Sequence, residues 1–213
     1  LSGTMKRKDG RHILLTDYFG SNVLKPDVAN TLEPKVEIIN TRLSLAPGQP
    51  WAKKINTLLY DPDYQEYVAL LAAKKISEGH SVLVIADRVE FLENVERLLG
   101  KSCILVTGTT NSTAEEREKV KQLINAGEKD CVAGSRQIFS EGISIDRLSC
   151  VILAVPIANE ENLEQIIGRI MRQFPNKPQP LVVDLHFNGT SERKQNNIRM
   201  GFYMKQGWQI QGN

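Results

Sequence analysis

Two arginines and a glutamine stand at fixed spacing in an otherwise apolar segment, QIIGRIMR, at residues 165–172. An arginine side chain stays charged, and its planar fork of N–H donors fits the oxygens of a phosphate group. The pair could therefore stabilise the charge that develops during phosphoryl transfer. On a helix, with about 100° between successive residues, Gln165, Arg169 and Arg172 share one narrow face.

The other side of this predicted helix is apolar, with Leu163, Ile166, Ile167 and Ile170. The helix is then amphipathic, with an arginine-bearing edge. Gly168 beside that edge costs about 1 kcal/mol of helix propensity relative to alanine. We therefore expect something to approach its backbone closely.

A solvated helix face, with the arginines paired to Glu161 and Glu164, explains the same pattern. A short motif alone does not decide between such a face and an anion site. The strands and helices predicted around the motif have to distinguish between these two interpretations.

Strands and helices alternate from residue 81 onward. Apolar runs predict strands at 81–86, 103–108, 130–135, 150–155 and 180–185, and periodic segments predict helices at 88–99 and from 112 or 113 to about 125. Strands that are apolar throughout indicate a sheet covered on both faces, and helical crossovers indicate parallel pairing. The predicted fold is α/β, a doubly wound parallel sheet with helices on both faces, whose ligands gather at the carboxyl ends of the strands.

Further elements flank this core. We predict an extra strand at 36–45, a helical segment at 51–79 broken at Asp61-Pro62, and a C-terminal helix at 191–207. The last helix is basic, with Arg193, Lys194, Arg199 and Lys205.

The bulk composition limits the possible partners. A net charge of +2 gives no global basic signature, so any contact with nucleic acid must come from a local patch. Cys103, Cys131 and Cys150 each lie in a predicted strand, which favours buried thiols over disulfides or a metal site. No apolar run is long enough to span a membrane. We therefore expect no membrane partner and a cytoplasmic location.

A glycine-rich phosphate loop is missing. Gly100-Lys101-Ser102 ends like the GxxxxGK[ST] motif, but Val95 stands at the first glycine position and a helix precedes the segment where a strand should. We interpret it as a helix C-cap. The cradle for a nucleotide is then expected on another domain, and the opening LSGT reads as the end of a strand from such a domain.

Several segments together resemble a family. In order, they are LSGT (1–4), LVIAD (83–87), LVTG (105–108), GSRQIFSEGISID (134–146) and QIIGRIMR (165–172), and they resemble motifs III, IV, IVa, V and VI of superfamily two helicases. The resemblance implies two RecA-like domains that bind ATP and Mg²⁺ in the cleft between them. It implies the end of the first domain and a linker at 1–35, the second RecA-like domain at 36–188, and a C-terminal helical extension at 189–213.

The resemblance also implies roles for individual residues. Arg169 and Arg172 would be arginine fingers on the γ-phosphate, assisted by Gln165. Cofactor-binding positions would be Gly142, Asp146 and Gly168, and motif III would couple the two activities through Ser2 and Thr4. The nucleic-acid contacts would be Thr107, Gly108, Gly134, Ser135, Arg88 and Arg136. ATP and Mg²⁺ would be held mainly by the N-terminal RecA-like domain, and no metal ligand is expected in this chain.

Motif VI departs from the DEAD-box RNA helicases, which carry arginine and glycine where this chain has Ile166 and Met171. The form QxxGRxxR is similar to DNA translocases, and the SEGISI run and Gly207-Trp208 resemble the phage UvsW-like recombination helicases. The implied function is the C-terminal motor domain of an ATP-dependent helicase acting on branched or duplex DNA in recombination or repair, with RNA possible.

Two other functions fit parts of the pattern. One is a non-catalytic nucleic-acid or partner-binding module on a helicase-like fold, against which the intact motifs V and VI argue. The other is a free-standing nucleotide-binding regulator, against which the missing glycine-rich loop argues.

Overall fold

In the described part of the chain, seven parallel strands form one sheet. The computed structural model describes residues 31–108, 110–111, 113–137 and 143–212. The strands are β1 (Lys35–Ser44), β2 (Val82–Ala86), β3 (Cys103–Val106), β4 (Cys131–Ser135), β5 (Cys150–Leu153), β6 (Leu181–Asn188) and β7 (Gln209–Gly212). Their order across the sheet is β3-β4-β2-β5-β6-β1-β7, and every neighbouring pair is parallel.

Six α-helices connect or flank these strands in the described part of the chain. They are α1 (Trp51–Leu59), α2 (Pro62–Ser77), α3 (Val89–Leu99), α4 (Ala114–Asn125), α5 (Glu160–Ile170) and α6 (Thr190–Gln206). None of them is long and apolar enough to cross a membrane. The predicted α/β parallel sheet is confirmed.

The centre of the sheet is covered on both faces. Every residue of β2 and β5 is buried, which explains why these strands read as continuous apolar runs. All three cysteines are free and buried in the sheet, as predicted. Burial raises the pKa of the Cys150 thiol, so this group stays protonated and acts as a small apolar side chain.

Local signals set several helix ends. Asp61 Oδ1 accepts a hydrogen bond of 3.0 Å from the Asp63 backbone N–H, and Pro62 opens α2, so the predicted break at Asp61-Pro62 is confirmed. Gly100 ends α3 with φ +58°, a left-handed value that suits glycine. Gly100-Lys101-Ser102 is therefore a helix end that leads into β3, as interpreted from the sequence.

Helix α4 begins with a capping box. The Glu116 backbone N–H donates to Thr113 Oγ1 over 3.2 Å, and the Thr113 backbone N–H donates to Glu116 Oε2 over 3.0 Å. The helix start predicted at Thr113 is thus confirmed. The alternative start at Ser112 lies outside the described residues.

Replacing Thr113 with alanine is expected to lower the free energy of unfolding by about 1 kcal/mol, because the first turn loses its side-chain acceptor. Urea denaturation followed by circular dichroism measures the change. Thr113→Ser keeps the hydroxyl and serves as the control. An alanine variant with the wild-type midpoint would show that the cap contributes nothing.

The C-terminal segment belongs to the same compact unit, which runs from Leu32 to Asn213. Strand β7 was not predicted, and it pairs with β1 in the register Lys35↔Gln209. The domain boundaries at 35 and 188 stay predictions.

Helix α6 is fixed to the sheet by a buried ion pair. Arg199 Nε donates to both carboxylate oxygens of Asp184 on β6 over 2.9 Å, and both side chains are fully buried. Tyr203 Oη also donates to Asp184, over 3.1 Å. The sequence pattern counted Arg199 with the cations of a basic helix. The structure instead places it in the core, because Asp184 provides a buried partner.

Candidate functional site

Helix α5 positions the arginines by burying its apolar side. Leu163, Ile166, Ile167 and Ile170 are its buried residues, as the sequence predicted. Asn159 caps the start of the helix, where its side chain accepts a hydrogen bond of 2.8 Å from the Asn162 backbone N–H. Gln165 and Arg169 are half-buried on the remaining surface, one turn apart.

The helix ends earlier than the spacing suggested. It stops at Ile170, and the carbonyl of Met171 accepts a hydrogen bond of 2.7 Å from the Leu32 backbone N–H. Arg172 therefore lies beyond the helix, and its predicted place on the helical face is wrong. The reason is long-range, since Leu32 supplies the hydrogen bond that draws the chain away from the helical path.

Arg172 is paired with Asp146. Its Nη1 donates to Asp146 Oδ1 over 3.3 Å, and Ser144 Oγ donates to the same oxygen over 3.2 Å. Its carboxylate partner is thus Asp146, whereas the surface interpretation expected Glu161 or Glu164. The Arg172 and Asp146 side chains are 43% and 38% exposed, and such ion pairs contribute little stability. Arg172 can therefore exchange Asp146 for another anion at small cost.

Arg169 lies close enough to Arg172 for the two charges to interact. Burial first, and then the charge of Arg172, lower the pKa of Arg169. An arginine remains ionised in spite of such a shift. Two neighbouring guanidinium groups that repel each other favour an anion bound between them.

Lys177 is a third cation here, and the sequence pattern did not indicate it. Its Nζ donates to the Arg172 carbonyl over 2.6 Å and to the Asp146 carbonyl over 2.7 Å. Burial lowers the pKa of Lys177 to about 8, helped by Arg172 and opposed by Asp146. We call these four residues, Asp146, Arg169, Arg172 and Lys177, the arginine cluster.

A turn brings Lys177 back toward the cluster. The Lys177 backbone N–H donates to the Phe174 carbonyl over 3.2 Å, and Asn176 has a positive φ of 56°. Pro175-Asn176 is a turn signature, because proline fixes φ at the first central position and asparagine tolerates the left-handed second. This signal was available in the sequence, although the target of the lysine was not.

Gly168 has open space beside it. A Cβ added there meets no atom of the described chain within 4 Å, apart from the neighbours and the helix backbone nearby. Packing against the described residues therefore does not explain the glycine. The expected close approach of a ligand or another domain stays a prediction.

The arginine cluster lies at the amino edge of the sheet, the edge where the parallel strands begin. Asp146 precedes the start of β5, and Met171 is bonded to Leu32, which precedes β1. Helix α5 runs back from the end of β5 to the start of β6, so Arg169 in its last turn and Arg172 just beyond it come to this edge. The arginine pair thus lies at the edge opposite to the carboxyl ends of the strands, where the ligands of such a sheet were expected.

The predicted nucleic-acid contacts lie at the opposite, carboxyl edge. Thr107 and Gly108 follow β3, and Gly134 and Ser135 end the neighbouring strand β4. Thr107 is buried, and its hydroxyl lies 3.0 Å from Thr110 Oγ1, so it shapes the loop after β3. Gly108 is exposed and has open space around it.

Two predicted contact arginines at this edge are engaged within the chain. Arg88 Nε donates to Asn56 Oδ1 over 2.8 Å, and Arg136 Nε forms an ion pair with Asp87 Oδ1 at 3.0 Å. Both would have to share their donors with a nucleic-acid phosphate.

Three predicted site residues, Ser2, Thr4 and Gly142, lie outside the described residues. Within the part of the chain that the structure describes, no three His, Cys, Asp or Glu side chains are grouped to hold a metal ion.

The family of the helicase conserved C-terminal domain matches residues 64–173. The chain belongs to this family.

Known proteins extend the match over nearly all of the chain. The probable helicase D10 of Escherichia phage T5 is 36% identical over an alignment of 213 positions, which covers 98% of this chain and 47% of that protein. The chain spans less than half the length of the curated relatives it matches.

Two solved structures share the fold. T4 UvsW matches with a TM-score of 0.67 and 18% identity, over 93% of this chain and 45% of that one. Dbp5 of S. cerevisiae, bound to RNA and ADP BeF3, matches with a TM-score of 0.63 and 12% identity, over 98% of this chain and 50% of that one.

Proposed function

We propose that this chain is the C-terminal motor domain of an ATP-dependent helicase or translocase that acts on branched or duplex DNA. Arg169 and Arg172 serve as arginine fingers for ATP held by an N-terminal RecA-like domain. The observation that carries the proposal is the half-exposed arginine pair, in which Arg172 forms an exposed ion pair with Asp146. The family match supports the helicase class.

The chemistry assigned to this chain is electrostatic. When the N-terminal domain closes on the amino edge, the γ-phosphate replaces Asp146 as the partner of Arg172. Arg169 and Arg172 then neutralise charge on the transferring phosphoryl group. Bound Mg²⁺ supplies further charge neutralisation and is held by the N-terminal domain. By itself, the chain is expected to hydrolyse no ATP.

The carboxyl edge is the proposed track for the nucleic-acid strand. Backbone amides and small hydroxyls at Gly108, Gly134 and Ser135 suit phosphate oxygens, and such contacts do not read sequence. The QxxGRxxR form of motif VI favours DNA, whereas the matched Dbp5 structure holds RNA.

ATP turnover by the complete protein, measured with forked, duplex and single-stranded DNA and with RNA, tests the substrate. Forked or duplex DNA is expected to stimulate turnover most. Stimulation by RNA alone would overturn the DNA assignment but leave the motor assignment standing. Binding without turnover on every substrate would favour the non-catalytic module.

Gly168 gives a sharper test of the cleft. Gly168→Ala is expected to stabilise the fold by up to about 1 kcal/mol, since alanine is the better helix former and the space is open. The same methyl group is expected to lower ATP turnover in the complete protein, because it would meet the ATP-bearing domain.

Gly201→Ala is the matched control for this variant. Gly201 lies in α6, is exposed and has equally open space for a Cβ. Thermal unfolding should show both variants gaining stability, while only Gly168→Ala loses turnover. Equal turnover in the two variants would remove Gly168 from the cleft.

A further inference from the structure

Lys177 connects two motifs that are distant in sequence. Its Nζ lies 2.7 Å from the carbonyl oxygen of Asp146 and 2.6 Å from that of Arg172. Those two residues also form the ion pair between motifs V and VI. Asp146 and Arg172 are thus joined twice, once between their side chains by the ion pair and once between their backbones through Lys177. Only the backbone joint depends on Lys177.

The two joints differ in what happens to them during the proposed reaction. The ion pair must open, because the guanidinium of Arg172 has to turn to the phosphate. The backbone joint need not open, since neither carbonyl takes part in the chemistry. A charge-assisted hydrogen bond is stronger than a neutral one, so the ammonium group is suited to holding both carbonyls.

We propose that Lys177 is a positioning residue for the arginine finger, in that it fixes the backbone of Arg172 to motif V while the Arg172 side chain moves to the phosphate. This inference rests on the proposed function of Arg172. We call the contact of the Lys177 ammonium group with both carbonyls the clamp. Without the clamp, the Arg172 guanidinium would still bind phosphate but would reach it from a less defined starting point. Loss of orientation of this kind lowers the rate of the chemical step more than it lowers binding.

The protonation state of Lys177 makes the clamp sensitive to pH. The charged groups that face Lys177 are Asp146 and Arg172, with Arg169 beside Arg172. With a pKa of about 8, the ammonium form prevails below that pH and is lost as the pH rises through it. The neutral amine donates more weakly, so turnover should fall on the alkaline side.

Three forms of the complete protein test this proposal, namely wild type, Lys177→Arg and Lys177→Met. Nucleic-acid-stimulated ATP turnover is measured from about pH 6.5 to about pH 9.5, which brackets the titration by more than one unit on each side. Lys177→Met should lower kcat by between about tenfold and a hundredfold, with KM for ATP changed less than about twofold. Circular dichroism checks that each variant is folded.

The pH profile separates positioning from a merely structural role. Wild-type kcat should fall as the pH rises through about 8, whereas Lys177→Arg keeps its charge, retains most of the activity and shows no such fall. Wild-type kcat in Lys177→Met, or an unchanged alkaline fall in Lys177→Arg, would overturn the proposal.

Arg172→Ala, assayed in parallel, distinguishes a failure of the Lys177 clamp from a failure of the proposed function. If it abolishes turnover while Lys177→Met does not change it, the finger assignment stands and the clamp fails. If Arg172→Ala retains turnover, the proposed function itself fails.

Discussion

Replacing Arg169 or Arg172 with alanine in the complete protein is expected to lower kcat for ATP hydrolysis by about 10³-fold or more, the loss typical of a missing arginine finger. The physical reason is that the guanidinium stabilises negative charge in the transition state, and alanine has no cationic group that could replace it. Steady-state ATP turnover with saturating nucleic acid measures the effect.

Both variants should fold normally. Neither arginine is part of the core, and the only described ion pair of Arg172 is the exposed one with Asp146. Arg97→Ala is a suitable control, because Arg97 is an exposed arginine on α3 whose described hydrogen bond is a long one of 3.3 Å to Asn94. It should keep wild-type turnover. Full turnover in either cluster variant would refute the motor assignment.

Replacing Arg199 with methionine is expected to lower the free energy of unfolding by about 3–5 kcal/mol. The loss is a large part of the roughly 5–15 kcal/mol that holds a domain folded. It is large because Asp184, fully buried on β6, would lose its cation and would have to stay uncompensated or take up a proton. Burial alone would raise the pKa of Asp184, but Arg199 and His186 bring it below its usual value.

A double variant, Asp184→Leu with Arg199→Met, isolates the cause. With both charges removed, no uncompensated ion remains, so much of the lost stability should return. Urea denaturation of the wild type, both single variants and the double variant gives the coupling energy. Additive losses without recovery would mean that packing, and not the ion pair, fixes α6.

The pH dependence of stability has a defined sign at the same pair. Because the pKa of Asp184 is lowered in the folded chain, its contribution is present at neutral pH and is lost as the pH falls through the folded value.

The order of strands and helices could be predicted because each buried strand is a continuous apolar run. Strand β7 could not, since its four residues are largely exposed and its pairing with β1 is a long-range event. The end of α5 at Ile170 was equally hidden, because it depends on a backbone hydrogen bond from Leu32.

The candidate site was predictable only in part. The spacing in QIIGRIMR pointed to the arginines, and their being half-exposed agrees with that interpretation. The contacts of Lys177 could not be predicted, because its partners are backbone carbonyl oxygens, which every residue has. The burial of Arg199 was hidden for a related reason, as it needs an aspartate from another element.

The arginine cluster lies at the amino edge of the sheet, and the proposed nucleic-acid contacts lie at its carboxyl edge. Strand β4 has five residues, so these ends are separated by roughly 16 Å. A close-packed interior resists deformation, so the domain should turn as one stiff lever. In the proposed motor, a small rotation of the domain at the arginine cluster then displaces the nucleic-acid contacts at the carboxyl edge. The size of this displacement is set by the length of the β-strands.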